Sequence, residues 1–198
     1  MAVGSRTSDA APLAIHEVRF EGGVLQRGFW LYVWEVTPTD KTQLYYVGRT
    51  GDSSSTNAQS PFNRMGQHLG FAKNSNMLRR HLIQHGAVPE SCAFRLIALG
   101  PIELEARAPG RREHDQRRDL VAAMEKALAE LLASSGLTVM NRVACRKPLD
   151  VERFAHVRVA FSTAFPQLAT DSPMVNGSGG RRSAPEPGLG TAPGIAGK

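Results

Sequence analysis

The chain has 198 residues, 41% of them hydrophobic, and this length allows one substantial core with flexible tails. Its 24 Lys and Arg against 18 Asp and Glu leave a net charge of +6, which suits a polyanionic partner such as nucleic acid. Cys92 and Cys145 lack CxxC spacing, so neither a zinc site nor a disulfide framework is expected. The sequence shows no signal-like N-terminus and no long apolar stretch, which predicts a cytoplasmic protein without a membrane partner.

Flexible ends are predicted on both sides of a single domain that spans residues 14–165. Residues 1–13 form a loose N-terminus. Residues 166–198 are rich in Gly, Pro, Ser and Ala, and we predict a disordered tail because they bury too little apolar area to offset the entropy of ordering.

The first half of the domain predicts strands followed by two helices. "VRFEGG" (18–23) suggests a short edge strand, and the aromatic, β-branched runs "GFWLYVWEV" (28–36) and "QLYYVGR" (43–49) predict an antiparallel hairpin. Ser60 followed by Pro61 is a typical helix start, with a hydroxyl cap and proline at the first helical position. A second helix is expected near residues 75–85, ended by Gly86.

The second half predicts a third strand at 92–99, a long amphipathic helix at 111–135, a short apolar run at 137–140 and a last helix at 150–165 capped by Asp150. The order β-β-α-α-β-α-(β)-α predicts an α+β domain, in which helices flank a small, mostly antiparallel three-stranded sheet.

The residue types that carry chemistry fall on several of these elements. Tyr32 and Tyr46, taken alone, are ordinary strand residues that pack across the sheet. Arg64 and His68 lie four residues apart on one predicted helix and therefore share a face. That helix begins soon after the strand of Tyr46, so we expect this face to lie beside it.

Two carboxylates on the long helix compete for a role in the same site. The apolar stripe of this helix consists of Val121, Met124, Leu128, Leu131 and Leu132. Glu125 falls about 70° from the centre of the stripe and Glu130 about 150° from it, at 100° per residue. Glu125 therefore borders the apolar face, where a carboxylate reaches a cleft, and Glu130 points to water.

In this order the motifs resemble those of the GIY-YIG endonuclease family. "WLY" (30–32) and "YVG" (46–48) stand where the family has its two tyrosine motifs, with Trp30 in place of a packing glycine. "RMGQH" (64–68) is similar to the Arg-His helix of some restriction and homing members. "AMEKAL" (123–128) is similar to the metal-binding glutamate segment, and "TVMNR" (138–142) to the closing asparagine segment. The resemblance covers about residues 28–145.

The resemblance implies a metal-dependent DNA endonuclease with six catalytic residues: Tyr32, Tyr46, Arg64, His68, Glu125 and Asn141. In that reading Tyr32 deprotonates or orients the attacking water, with His68 as an auxiliary base or phosphate contact, and Tyr46 positions the water or a phosphate oxygen. Arg64 binds the phosphate. Glu125 holds one Mg²⁺ (or Mn²⁺) that stabilises the leaving oxygen, and Asn141 orients a neighbouring group or the site backbone.

Several alternatives stay open at the level of sequence. The scaffold also suits a non-catalytic nucleic-acid-binding module, or a structure-specific repair or mobile-element nuclease instead of a restriction-type enzyme. A homodimer is compatible with either enzyme. Further DNA contacts are expected from four basic residues: Arg49, Lys73, Arg79 and Arg80. The basic clusters at 110–113 and 116–119 either follow phosphates or form solvated helix faces balanced by neighbouring acids, and the second reading is favoured.

Overall fold

The computed structural model describes residues 13–51, 56–72, 76–105 and 110–169. Within them, three strands form one antiparallel sheet: β1 (Gly28–Thr37), β2 (Leu44–Arg49) and β3 (Ala93–Leu104). The strand order is β2-β1-β3, so the hairpin partner β2 lies at one edge and β3 at the other. The predicted α+β class with a small antiparallel sheet is confirmed.

The described helices follow the predicted order. They are α1 (Pro61–Leu69), α2 (Met77–Gln84), α3 (Arg111–Ser134) and α4 (Val151–Ser162). The side chain of Ser60 accepts a hydrogen bond from the Asn63 amide, and that of Asp150 accepts one from the Arg153 amide, so both predicted N-caps are confirmed. In the described part of the chain, no helix has both the length and the apolar character that crossing a membrane requires.

The sheet has a different core on each face, because successive side chains of a strand point to opposite sides. Leu31, Val33 and Val47 face the larger core, which α3 and α4 cover. Tyr32, Trp34 and Tyr46 face the smaller core, which is completed by Leu78 and Leu82 of α2. The two tyrosines of interest therefore share the face that is opposite to α3.

The outer edge of β2 is partly covered by the segment that follows α3. The backbone amide of Tyr45 donates to the carbonyl of Thr138 at 2.9 Å, and the backbone carbonyl of Tyr45 accepts from the amide of Met140 at 2.7 Å. These two bonds form a parallel bridge between Tyr45 and Val139. The apolar run at 137–140 thus supplies a single bridge to the edge of the sheet.

Several boundaries differ from the sequence predictions. The last helix, predicted to reach residue 165, ends at Ser162. Residues 18–21 are not a strand, and Gly22–Leu25 form a 3-10 helix, because this segment pairs with neither sheet edge. The third strand continues five residues past the predicted end, to Leu104, since Phe29 and Gly28 of β1 extend far enough to pair with it.

The predicted tail also begins too early. Pro166–Leu168 form a 3-10 helix whose Leu168 is buried in the larger core, so the ordered domain continues past residue 165. Residues 170–198 and the first twelve residues lie outside the described ranges.

Candidate functional site

A small open pocket of about 100 Å³ lies where β2 ends. It is lined by Tyr32, Tyr46, Gly48, Arg49, Arg64, His68 and Glu125. The structure therefore brings together five of the six residues that the sequence analysis predicted to be catalytic. Asn141, the sixth, is not in the pocket lining.

The closest polar contact in the pocket joins Tyr32 of β1 to His68 of α1. The Tyr32 hydroxyl lies 2.6 Å from Nε2 of His68 and 3.2 Å from the carbonyl oxygen of Arg49, to which it donates. Which of the two groups donates in the Tyr32–His68 contact depends on the tautomer of the imidazole. Both side chains are almost fully buried, and Nδ1 of His68 has no hydrogen-bond partner among the described residues.

Gly48 allows the Tyr32 ring to lie across the neighbouring strand. Tyr32 and Gly48 are directly opposite in the β1–β2 register, on the same face. A Cβ atom at residue 48 would lie 2.7 Å from the Tyr32 hydroxyl oxygen, closer than real side chains approach each other. The glycine of the "YVG" motif is therefore required by contact with the tyrosine of the "WLY" motif.

Burial sets the protonation states of the phenols and the imidazole. It raises the pKa of Tyr32 to about 12, against the opposing charge of the Arg64 guanidinium. Burial also raises the pKa of Tyr46, and it lowers the pKa of His68 to about 3, with the Arg64 charge acting in the same direction. At neutral pH the pocket thus holds protonated phenols and a neutral imidazole.

Glu125 reaches this pocket from α3, the helix on the opposite face of the sheet. Arg49 is the last residue of β2, and its Nε lies 3.0 Å from Oε2 of Glu125. The carboxylate meets the phenols around the end of this edge strand. Burial raises the pKa of Glu125, while the Arg49 charge opposes the rise. Glu130, the rival carboxylate, is exposed and pairs with Lys126 at 2.7 Å.

Arg64 and Tyr46 complete the lining. Arg64 donates to the side-chain oxygen of Gln67 at 2.7 Å, and its charge acts on Tyr32, Tyr46, His68 and Glu125. The ring of Tyr46 packs edge-on against His68, with 5.2 Å between ring centroids.

Asn141 holds the backbone of β2 beside the pocket. Its Oδ1 accepts from the Val47 amide at 3.0 Å, and its Nδ2 donates to the Val47 carbonyl at 2.8 Å. The side chain therefore takes the place of a neighbouring strand where the bridge at Val139 stops. Val47 lies between Tyr46 and Gly48, so this clamp fixes two residues of the pocket lining.

The additional basic residues have different surroundings. Arg49 belongs to the pocket itself. Arg79 pairs with Glu90 and lies over the Phe71 ring, 4.2 Å from its centroid. Arg80 is exposed, and Lys73 lies outside the described residues. The basic clusters of α3 are largely neutralised by acids: Arg111 pairs with Asp115, Arg117 with Glu113, and Arg118 with Asp115 and Asp119.

Sequence reasoning missed two residues of this region. Gly48 was quoted within a motif without a role, although a glycine inside an aromatic strand signals the close approach of another group. His81, to which the sequence analysis gives no role, is the second. It is half-buried, with its ring centroid 5.6 Å from that of Tyr46, and burial lowers its pKa. Its position on the same face of α2 as the buried Leu78 was the available signal.

The chain was compared with protein-family models, curated proteins and solved structures, and no match was found in any of the three. The geometry of the pocket is therefore the basis for a functional assignment.

Proposed function

We propose that the chain is a metal-dependent DNA endonuclease that hydrolyses phosphodiester bonds in the pocket at the end of β2, through a site of the GIY-YIG type. The observation that carries the proposal is the 2.6 Å contact between the Tyr32 hydroxyl and His68 Nε2 in an open pocket that also holds a guanidinium and a carboxylate. Hydrolysis of a phosphodiester needs these groups: a base for water, a cation for the phosphate and an anionic ligand for a metal ion.

The proton path begins at the attacking water. In the productive tautomer the imidazole carries its proton on Nδ1, and the Tyr32 hydroxyl turns from the Arg49 carbonyl to donate to His68 Nε2. Tyr32 then accepts the proton of the water as it passes its own proton to the imidazole. A relay of this kind avoids a free phenolate, which burial makes unfavourable. Binding of a phosphodiester adds a negative charge to the pocket and stabilises the imidazolium that forms.

Arg64 is the residue that binds the phosphate. Its guanidinium lies in the same pocket as the phenols, and arginine offers paired donors that match two phosphate oxygens. The hydroxyl of Tyr46 provides a further donor for a phosphate oxygen or for the water. These contacts hold the phosphorus opposite the water that Tyr32 activates.

A single magnesium ion fits the donor set. The described residues contain no cluster of three or more acidic, His or Cys side chains that would hold a metal by themselves. Magnesium, however, is commonly bound by one or two carboxylates, substrate phosphates and several waters, and Glu125 supplies one partly buried carboxylate. When bound, Mg²⁺ (or Mn²⁺) stabilises the charge that develops on the leaving 3′ oxygen. When no metal ion is bound, the guanidinium of Arg49 neutralises the Glu125 carboxylate.

Nicking of supercoiled plasmid tests this function. We expect conversion to open circles with Mg²⁺ and none with EDTA, and loss of at least about 100-fold in Glu125→Gln because the metal ligand is removed. Glu130→Gln removes an equal charge from the same helix outside the pocket, and at saturating DNA it should keep the wild-type cleavage rate within about threefold.

The products of the same assay separate the alternatives. Discrete fragments indicate a restriction-type enzyme, and cutting confined to branched duplexes indicates a processing nuclease. DNA binding without cleavage in the wild-type protein would replace the proposal with a non-catalytic binding module.

A further inference from the structure

A second cavity, of about 410 Å³, lies between α3 and the segment that follows Asn141. We call it the loop groove. Small apolar residues line part of it, and its charged lining consists of one acid, Glu130, and three cations: Lys126, Arg142 and Arg146. The groove is therefore open to a ligand with negative charge.

The loop groove adjoins the pocket at two points. Lys126 follows Glu125 directly in α3, and Lys126 lines the groove where Glu125 lines the pocket. Asn141 lines the groove as well, while its amide clamps Val47 between the pocket residues Tyr46 and Gly48. A strand of nucleic acid whose phosphate sits in the pocket would leave it beside the groove.

In the part of the chain that the structure describes, the arginines of the groove have no acidic partner, unlike most of those of α3. Within the described residues Arg142 and Arg146 make no ion pair, and both are exposed. Glu130, the carboxylate of the groove, is already paired with Lys126. Most arginines of α3, in contrast, pair with acids of their own helix.

We infer that the loop groove binds the phosphate backbone of the duplex next to the scissile phosphate, through Arg142 and Arg146. The inference rests on the proposed function for the position of the scissile phosphate. Residues four apart in the chain are separated by at most about 14 Å, so both arginines lie within the length of roughly four base pairs. The groove therefore positions the duplex and does not take part in the reaction.

The test compares two double variants that remove the same charge. The groove variant, Arg142→Gln/Arg146→Gln, removes the two exposed arginines of the groove. The control variant, Arg112→Gln/Lys41→Asn, removes two exposed cations that do not line it. Binding of a labelled 30-base-pair duplex is measured in EDTA over a range of salt concentrations. Single-turnover cleavage is then measured with Mg²⁺ at saturating DNA.

We expect the groove variant to bind roughly 10- to 100-fold more weakly at 0.1 M salt, with the slope of log K against log salt reduced by about 2. The control variant should keep the wild-type slope, and both variants should cleave saturating DNA within about threefold of the wild-type rate. Equal slopes for the two variants, or a slower cleavage step with unchanged binding, would overturn the inference.

The two readouts separate this inference from the proposed function. If the wild-type protein binds the duplex but never cuts it, and the groove variant shows the weaker binding and smaller slope, the groove stands and the nuclease proposal fails. If the wild-type protein cuts DNA and the groove variant binds as tightly as the control, the nuclease proposal stands and the groove fails.

Discussion

His68 is buried as a neutral imidazole, and its burial makes the folding stability depend on pH. Its pKa falls from 6.5 to about 3 in the folded chain, so below pH 6.5 the unfolded chain takes up a proton that the folded chain does not. Stability is therefore lost as the pH falls from 6.5 towards 3.

Replacement of His68 should remove this loss. At pH 5 the loss in the free energy of unfolding amounts to about 2 kcal/mol, and at pH 7.5 it is close to zero. Urea unfolding of the wild type and of His68→Gln at both pH values measures it as the difference between the two proteins. An acid-induced loss of the same size in both proteins would show that His68 is not held neutral by burial.

Gly48 offers a second test at the scale of one residue. Gly48→Ala places a methyl group against the buried Tyr32 ring, which has no room to move, so we expect cleavage to fall at least about 100-fold and stability to fall by about 1–3 kcal/mol. Gly66→Ala is the matched control, because a Cβ at residue 66 meets nothing within 4 Å. It lies between Arg64 and His68 on α1, and it should retain activity and gain up to about 1 kcal/mol. Full activity in Gly48→Ala would contradict the role given to the Tyr32 ring position.

At the scale of elements, the edge strand β2 carries much of the site, and Asn141 holds that edge. Asn141→Ala leaves the amide and carbonyl of Val47 without partners, so we expect a loss of about 2 kcal/mol in the free energy of unfolding together with slower cleavage. Asn141→Asp should be worse than alanine, since it directs a carboxylate oxygen at the Val47 carbonyl. Urea unfolding and plasmid nicking measure both effects. An aspartate variant more active than the alanine variant would favour a metal ligand over a clamp.

The elements themselves were largely predictable, because their signals are local. Ser60 and Pro61 mark the start of α1, and the apolar stripe around Met124 and Leu128 defines α3 and the border position of Glu125. The prediction of a strand at 18–23 was wrong because a strand forms only where another strand pairs with it, and such pairing is not visible in the local sequence. The predicted end of β3 was wrong for the same reason, since the last residues of this strand depend on pairing with the start of β1.

The site was less predictable than the elements, because its contacts join distant segments. Spacing arguments indicated that Arg64 and His68 would lie beside the strand of Tyr46, and the face argument indicated that Glu125 would reach a cleft. They gave no reason to expect that Arg49 pairs with Glu125, or that Asn141 bonds to Val47, 94 residues away. Such contacts depend on side-chain reach around the end of a strand, which no local pattern encodes.

At the scale of the whole molecule, the cations behind the net charge of +6 differ in how far neighbouring acids neutralise them. Much of the positive charge of α3 is neutralised on that helix, while the pocket and the loop groove carry cations near the end of β2. A DNA-binding surface in this molecule is therefore expected around the pocket and the groove, and not along α3. The sequence analysis likewise favoured solvated helix faces for the α3 clusters over a surface that follows phosphates.

Single-turnover cleavage by two tyrosine variants tests the central claim most directly. Tyr32→Phe removes only the hydroxyl that contacts His68, and we predict a rate at least about 100-fold below wild type, as expected for loss of a general base. Tyr45→Phe removes a hydroxyl from β2 on the opposite face of the sheet, and its rate should stay within about threefold of wild type. Cleavage by Tyr32→Phe at the rate of Tyr45→Phe would contradict the account.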